Sequence, residues 1–368
     1  MRALPLLLAW GLLSAPCWSA ERWRLQFFHD EDATTLTLRD LKFPTPQRGI
    51  AVGEIAEGRR VKPVALLTND GGEHWNTVEI PEAARSLFFR SESLGWMVTA
   101  SGVWRTEEAG RNWKRLARLE GLVRVHFVSD QHGWAVGTLK AVYETRDGGL
   151  HWTPVPAAAE PTATREFTAY YSIDFLNEQV GLIAGSSRPP RRERQRLPDW
   201  MEPEKSRNRK EWPSLSILLE TRDGGQTWRF SGSSMFGVIS QVRLAQDGRG
   251  LALIRFMEAF DWPAEVYLLD WRSGRSTRVF RHPERDVTDV ALVSGGTAYL
   301  AAIEPASRIP QSPIPGKLKI LKSIDWTNWQ ETEVDYRAVG RHVVLATAGE
   351  GHLWAATDTG MILKLASE

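Results

Sequence analysis

An eight-residue motif recurs along the chain, and its spacing limits the folds that the sequence can form. The octet TRDGGLHW at 145–152 returns as TRDGGQTW at 221–228 and as TNDGGEHW at 68–75, with a diverged copy, TEEAGRNW, at 106–113. The tryptophans that end the first three copies follow one another at intervals of 38 and 39 residues. Repeats of about 40 residues form either propeller blades or pairs of helices. Because the repeat is rich in Thr, Val, Trp and Gly and contains an Asp-Gly turn signal, we predict that it is a β-unit.

A second repeated feature is a glycine followed by a short apolar strand. Seven such segments occur, at 49–53, 95–99, 133–137, 181–185, 250–254, 296–302 and 351–357. Each unit then contains an apolar first strand, the Gly-led strand, a strand that ends in Thr, the Asp-Gly turn, and a strand that starts at Trp. Four strands in each of seven units predict an all-β fold, a seven-bladed β-propeller of four-stranded antiparallel blades.

The two ends of the chain complement each other. The last unit contains GMILKLASE at its end and lacks an Asp-Gly turn and a Trp strand. The segment ERWRLQFF at 21–28 has Trp23 at the corresponding place. We therefore predict that this N-terminal strand completes the seventh blade, which removes sheet edges that would otherwise be open to aggregation.

The octets have a structural interpretation and a chemical one. As turns, they use glycine for positive φ, the aspartate to accept backbone N–H groups, and the tryptophan to pack between sheets. As chemistry, the aspartates would be catalytic acids or metal ligands. Their regular spacing favours the structural role, which we assign to Asp70, Trp75, Trp113, Asp147, Trp152, Asp223 and Trp228 and, in the shorter copy SIDWTNW at 323–329, to Asp325 and Trp329.

The repeat resembles known families. The pattern Ser/Thr-x-Asp-x-Gly-x-x-Trp is similar to the Asp-box, or BNR repeat, of sialidases. The fuller unit, with GWAVG ahead of VYETRDGGLHW, resembles the photosystem II stability/assembly factor family, from Trp23 to about Leu365. That resemblance implies an exported seven-bladed propeller that assists the assembly of a membrane-protein complex. The fifth and sixth units depart from the pattern.

The N-terminus reads as an export signal. Arg2 precedes a short apolar run, and small residues follow it, so residues 1–19 are predicted to be a signal peptide that is cut after Ser19. Lipidation at Cys17 is the alternative. Cys17 is the only cysteine, so the mature chain has no disulfide and no zinc–cysteine site, and we expect neither a metal nor a cofactor. The remainder, 20–368, is predicted to be a single propeller domain in the periplasm or an equivalent extracytoplasmic or lumenal space.

The largest departure from the repeat is an insertion at 186–213 within the fourth unit. It has nine Arg or Lys against five Asp or Glu and is rich in proline, which predicts an extended, exposed loop. Such a loop can bind acidic protein surfaces or lipid head groups. The alternative is a tolerated, solvated insertion. The candidate binding residues are Arg188, Arg191, Arg192, Arg194, Arg196, Arg207 and Arg209.

Enzyme chemistry has weaker support. A sialidase-like hydrolase needs three converging arginines and a Tyr–Glu pair. Arg308 lies in an SRIP segment in the wrong unit for that role, and Tyr170, Tyr171, Tyr267 and Tyr299 lie in strand segments where packing explains them. We find no nucleophile elbow, P-loop or HExxH motif.

These observations predict a non-catalytic, exported scaffold or assembly factor. We expect a monomer that binds a protein partner, a membrane-protein complex, with peripheral membrane contact through the loop. The net charge of +1 argues against nucleic acid as a partner. A carbohydrate-active hydrolase is the alternative, and a small-ligand binder that uses the central channel is a third hypothesis.

Overall fold

The strands of this protein form seven separate β-sheets. The computed structural model describes residues 21–189, 213–256, 260–293, 296–305 and 314–366, and within them it contains these sheets and two 3₁₀ helices, Pro156–Ala158 and Arg165–Phe167. In chain order the strands are β1 (Arg22–Phe28), β2 (Thr34–Lys42), β3 (Gly49–Glu57), β4 (Arg60–Thr68), β5 (Asn76–Glu79), β6 (Ala84–Phe89), β7 (Gly95–Thr99), β8 (Val103–Thr106), β9 (Lys114–Ala117), β10 (Leu122–Phe127), β11 (Gly133–Gly137), β12 (Val142–Thr145), β13 (Thr153–Pro154), β14 (Thr168–Phe175), β15 (Gly181–Ser187), β16 (Ser214–Thr221), β17 (Arg229–Met235), β18 (Val238–Leu244), β19 (Arg249–Arg255), β20 (Ala264–Asp270), β21 (Arg275–Arg281), β22 (Asp286–Val293), β23 (Thr297–Ile303), β24 (Leu318–Ser323), β25 (Gln330–Glu331), β26 (Glu333–Val334), β27 (Val343–Thr347), β28 (Leu353–Thr357) and β29 (Met361–Ala366).

Six sheets each take four consecutive strands, beginning with β2–β5 and ending with β22–β25, and they form blades one to six. The seventh has the order β26-β1-β29-β28-β27. In it, β1 pairs antiparallel with β29, with Trp23 opposite Leu365. The seven-bladed propeller and its closure by the N-terminal strand are therefore confirmed. The short parallel strand β26, with Val334 beside Trp23, was not predicted; it covers the outer edge of β1.

The apolar core lies between neighbouring blades. One cluster, for example, combines Leu36 and Leu66 of blade one with Trp354 and Ile362 of blade seven. Because each blade is covered on both faces, its second strand is largely buried, and β7 and β11 are buried along their whole length. This explains why those strands read as continuous apolar runs instead of alternating ones.

The octets form turns between the third and fourth strands, which we call the aspartate turns. In the turn after β12, Thr145 Oγ1 donates to Asp147 Oδ1 (2.9 Å) and accepts from the N–H of Gly149 (2.9 Å). Asp147 Oδ1 also accepts the N–H of His151 (2.9 Å), and Trp152 Nε1 donates to the carbonyl of Gly149 (2.8 Å). The turns around Asp70 and Asp223 repeat the Thr–Asp and Thr–Gly bonds. These bonds satisfy backbone groups that no strand ladder reaches.

The aspartate turns also join one blade to the next. Trp96, in the second strand of blade two, stacks on Phe127 of blade three (3.7 Å between centroids) and donates from Nε1 to Gly148 O (2.9 Å). Trp134 stacks in the same way on Phe175 of blade four (4.4 Å). A Cβ on Gly225, which has φ +84°, would lie 2.6 Å from Trp134 Cζ2. The second glycine of this turn therefore provides space for the neighbouring indole as well as positive φ.

In the shorter turn at 323–329 the large side chain lies in the turn and the smaller one lies in the adjacent strand, which is the reverse of the arrangement around Trp96 and Trp134. Blade five has Leu251 where blades two and three have Trp96 and Trp134, after the leading glycine. Trp326, in the turn of blade six, fills the resulting space: it is 1% exposed, packs in one cluster with Leu251, and has φ +63°. A large residue in the turn therefore compensates for a smaller one in the adjacent strand, which keeps the interior close-packed.

Candidate binding site in the central channel

In blades one to six the first strand contains a one-residue β-bulge, and in each of these strands a polar residue comes directly after the bulge. The bulges shift the register before Asp40, Ser86, Arg124, Ser172, Gln241 and Asp289. A bulge changes the direction of the side chains after it, which here places polar groups at the ring of innermost strands.

Several of these side chains connect successive first strands. Asp40 Oδ2 accepts the N–H of Leu87 (2.7 Å), and Ser172 Oγ accepts that of Val242 (2.8 Å). Asp289 Oδ2 accepts the N–H of Leu345 (2.7 Å). Buried polar groups that are hydrogen-bonded in this way add rigidity to the ring, because breaking one bond leaves a buried partner unsatisfied.

A cavity of about 370 Å³ lies at one end of the ring and is lined by the first strands of all seven blades. It lies towards the aspartate turns, since the C-terminal ends of the first strands line it and the turns bond to the loops that follow them, as Gly148 N–H does to Gln131 O (2.8 Å). We call this side of the propeller the turn face. The residues that give the cavity its chemistry, which we call the channel site, are Phe88, Arg124, His126, Asp174 and Arg243.

His126 is an uncharged member of the channel site. Its ring packs against Phe88 (4.8 Å between centroids) and Phe175 (5.4 Å), and its Nδ1 lies 3.7 Å from Asp174 Oδ1. Burial, and then the positive charges of Arg243 and Arg90, lower the pKa of His126 to about 3. The imidazole is therefore neutral over the whole physiological range.

The carboxylates of the channel differ in their surroundings. Burial raises the pKa of Asp174, although Arg243 and the N–H of Leu244, which bonds Oδ2 at 2.7 Å, act against the rise. Burial acts the same way on Asp40, but Lys42, at 2.6 Å, and Arg124 outweigh it and lower its pKa. Asp40 is thus held as an anion in an ion pair with Lys42, while Asp174 lacks such a close cation.

The neutral state of His126 predicts a pH dependence of stability. Because its folded pKa is lowered, the unfolded chain binds the proton more tightly, so the wild type loses stability as the pH falls from about 6.5 towards 3. We expect His126→Phe, which keeps a packed ring, to lose a few kcal/mol less of its free energy of unfolding over this window. Urea unfolding at several pH values measures the difference. The raised pKa of Asp174 changes stability with pH in the opposite direction. It does so in both proteins, so its effect on the difference between them largely cancels.

The exposed residue His352 provides the control, because its ring is not enclosed by the channel. His352→Phe should follow the wild-type pH profile. Parallel profiles for wild type and His126→Phe between pH 6.5 and 4 would show that His126 does not titrate as described.

The candidate residues of the insertion fall mainly outside the described residues. This applies to Arg191, Arg192, Arg194, Arg196, Arg207 and Arg209, and also to Arg308, Cys17 and the signal sequence. Arg188 is described: its N–H donates to Phe167 O (2.9 Å) just after β15. Because β15 and β16 are the second and third strands of blade four, their connection leaves from the face opposite the turn face.

The tyrosines do not assemble a sialidase-like site within the described ranges. Tyr170 donates from its hydroxyl to Ala158 O (3.0 Å), and Tyr299 pairs with Glu21 (3.2 Å) between the sixth and seventh sheets. Tyr267 bonds Glu265 (3.0 Å) on the same strand, and that carboxylate is itself paired with Arg281. No three arginines converge beside either Tyr–Glu pair in the part of the chain that the structure describes.

In the residues that the structure describes, no group of three or more His, Cys, Asp or Glu side chains could hold a metal ion. None of the helices there has the length and apolar character required to cross a bilayer.

The channel site was not among the residues singled out in the sequence. A signal for it exists: four of the first strands have polar residues two positions apart after the bulge, namely Asp40 and Lys42, Arg124 and His126, Ser172 and Asp174, and Gln241 and Arg243. Such pairs are unremarkable in one strand and become informative only when the units are aligned with their bulges.

Comparisons with known proteins agree with the geometry. Residues 117–189 match the family model described as photosynthesis system II assembly factor YCF48. The chain is 28% identical over 171 residues to the chloroplastic photosystem II stability/assembly factor HCF136 of Arabidopsis thaliana, which covers 42% of this chain and 40% of that protein. It is 29% identical over 124 residues to the photosystem II assembly lipoprotein Ycf48 of a Synechococcus species, covering 31% of this chain and 35% of the relative. The matches therefore span less than half of either curated relative.

The fold likeness covers more of the chain than the sequence likeness. A solved structure titled YCF48 bound to D1 peptide superposes with a TM-score of 0.61 at 16% identity, covering 92% of this chain and 99% of that one. At this identity the superposition supports the fold alone. The chain is therefore a seven-bladed β-propeller, and its segment 117–189 is similar to the photosystem II assembly factor family.

Proposed function

We propose that this protein is an exported, non-catalytic assembly or stability factor that binds a segment of a membrane-protein complex. The observation that carries the proposal is that the segment similar to assembly factors and the channel site share residues in blades three and four. Residues 117–189, which match the YCF48 model, contribute three members of the channel site, Arg124, His126 and Asp174. The segment that matches the assembly-factor model thus supplies three of the five residues of the channel site.

Two further observations support protein binding over catalysis. The curated relatives are named as assembly and stability factors, and one solved relative is titled as a complex with a peptide. A propeller presents a rigid disc whose cavity and loops are fixed by the blades, which suits recognition of an extended segment. We further propose that the chain acts outside the cytoplasm, after removal of residues 1–19; cell fractionation, with the protein in the cytoplasmic fraction as the contradicting result, tests this.

The basic insertion supplies a second contact in this proposal. Changing Arg191, Arg192, Arg194 and Arg196 together to alanine should leave folding intact and weaken capture of membrane-protein subunits from envelope extracts by about tenfold or more, since each exposed arginine adds electrostatic attraction to an acidic surface. Quantitative mass spectrometry of the captured subunits, at two salt concentrations, measures the effect.

A control removes two exposed arginines from outer strands. Arg229→Ala with Arg275→Ala removes positive charge from β17 and β21 without touching the insertion. Capture by this control should equal that of the wild type. If the insertion variant captures as much as the wild type, the insertion takes no part in binding and is a solvated loop.

A further inference from the structure

Two guanidinium groups line the cavity without a carboxylate partner. Arg124 lies on β10 and donates from Nε to the carbonyl of Tyr171 (3.0 Å). Arg243 lies on β18 and donates from Nη1 to its neighbour's carbonyl, Val242 O, at 3.4 Å. Among the described residues, no Asp or Glu oxygen lies within 4.0 Å of a nitrogen of either side chain. Each guanidinium therefore keeps donors for another acceptor.

The two positive charges also act on each other. Burial, and next the charge of Arg243, lowers the pKa of Arg124, although Asp40, Asp289 and Asp174 partly oppose this. Like charges that share a partly enclosed space are destabilising, and an anion between them would offset that repulsion. Together with the unused guanidinium donors at the cavity wall, this repulsion favours occupation by a negatively charged group.

The surrounding groups favour an anion of low charge. Asp40 and Asp289 are held as hydrogen-bond acceptors within the ring, and Asp174 faces His126, which stays neutral. A doubly charged phosphate would meet these carboxyl groups, and the third cation of the cavity wall, Lys42, is already paired with Asp40 (2.6 Å). A carboxylate carries one charge, and its planar geometry matches the fork of a guanidinium.

The rest of the cavity wall suits a hydrocarbon group attached to that carboxylate. Phe88, Pro44 and Leu292 contribute apolar surface beside the charged residues. The volume of about 370 Å³ lies at the lower end of ligand pockets, which range over roughly 300–1,000 Å³. It can hold a small organic acid or the last residue or two of a chain, but not a folded domain.

We propose that the channel site binds a carboxylate, with Arg124 and Arg243 as the donors and Phe88 and Leu292 against the attached apolar group. The carboxylate has two sources, the C-terminus of a partner segment or a free small acid. The first source rests on the proposed function, and the second does not.

Isothermal titration calorimetry of the full chain tests the proposal with three probes: an acetylated tetra-alanine peptide with a free carboxyl end, the same peptide with an amide end, and butyrate, a small acid with one charge. For a C-terminal carboxylate, we expect the free-acid peptide to bind about tenfold or more tightly than the amide, because the amide lacks the charge that strengthens these hydrogen bonds. Stronger binding of butyrate than of the free-acid peptide would assign the site to a free acid.

Arg243→Gln should weaken binding of the preferred probe by about tenfold or more, while Arg275→Gln, on the exposed outer strand β21, should leave it unchanged. Arg124→Gln is a second variant, and circular dichroism checks its folding because its Nε bond to Tyr171 O is lost. Absence of binding by all three probes, or equal binding by Arg243→Gln and wild type, overturns the carboxylate site. If Arg243→Gln still captures membrane subunits as the wild type does, the proposed function stands without this site.

Discussion

Replacing Trp354 with alanine is expected to lower the free energy of unfolding by about 3–5 kcal/mol. The indole is fully buried, stacks on Phe43 at 3.5 Å between centroids, and donates from Nε1 to Gly71 O at 2.9 Å. Trp354 belongs to blade seven, and Phe43 and Gly71 belong to blade one, so the substitution opens a cavity at the joint where the ring closes. Urea unfolding followed by far-ultraviolet circular dichroism measures the loss.

Two variants separate the contributions at this joint. Trp354→Phe keeps an aromatic ring against Phe43 but removes the N–H donor, so it should cost about 1–3 kcal/mol, less than alanine. Tyr336→Ala removes an aromatic side chain that is 68% exposed and should change stability by roughly 0.5 kcal/mol or less. If Trp354→Ala costs no more than Tyr336→Ala, the indole does not hold the joint.

Removing strand β1 is expected to have the second large effect. A chain that starts at residue 30 loses Trp23, which is fully buried in the core between blades six and seven, and leaves the edge of β29 that pairs with β1 open. The loss of one buried tryptophan alone costs about 3–5 kcal/mol, and the unpaired edge of β29 can pair with another chain. We expect a lower melting temperature and oligomers in size-exclusion chromatography with light scattering.

Complementation in trans tests the cause of that effect. A synthetic peptide of residues 21–29 should restore the monomer and raise the melting temperature, and a scrambled peptide of the same composition should not. A truncated chain that stays monomeric and melts like the full chain would contradict closure through β1.

Local sequence patterns predicted most of the architecture for a physical reason. Turns need particular residues, so Thr145, Asp147, Gly149 and Trp152 mark a strand end, a turn and the next strand without knowledge of the rest of the chain. The spacing of such turns then counts the blades. The N-terminal strand could be assigned because Trp23 supplies the part that the last unit lacks.

Contacts between blades were less predictable. At the joint between blades five and six the smaller residue, Leu251, lies in the strand and the large one, Trp326, lies in the turn, the reverse of the joints at Trp96 and Trp134. Nothing in either segment alone indicates this. The fifth strand of the last sheet, β26, was also missed, because two residues carry too little pattern to identify a strand. Both features follow from the need to fill space and cover an edge that only the assembled ring defines.

The sequence by itself determined the all-β class, the seven units, the closure of the ring and the chemistry of its turns, since all of these follow from short-range residue preferences repeated at a fixed interval. The tertiary structure alone decided which residues meet in the channel. Arg124, Asp174 and Arg243 come from three different blades, and a one-residue bulge in each first strand sets their direction. Because shifting a strand by one residue exchanges its two faces, the lining of the channel depends on the register of every blade and could not be predicted from any one of them.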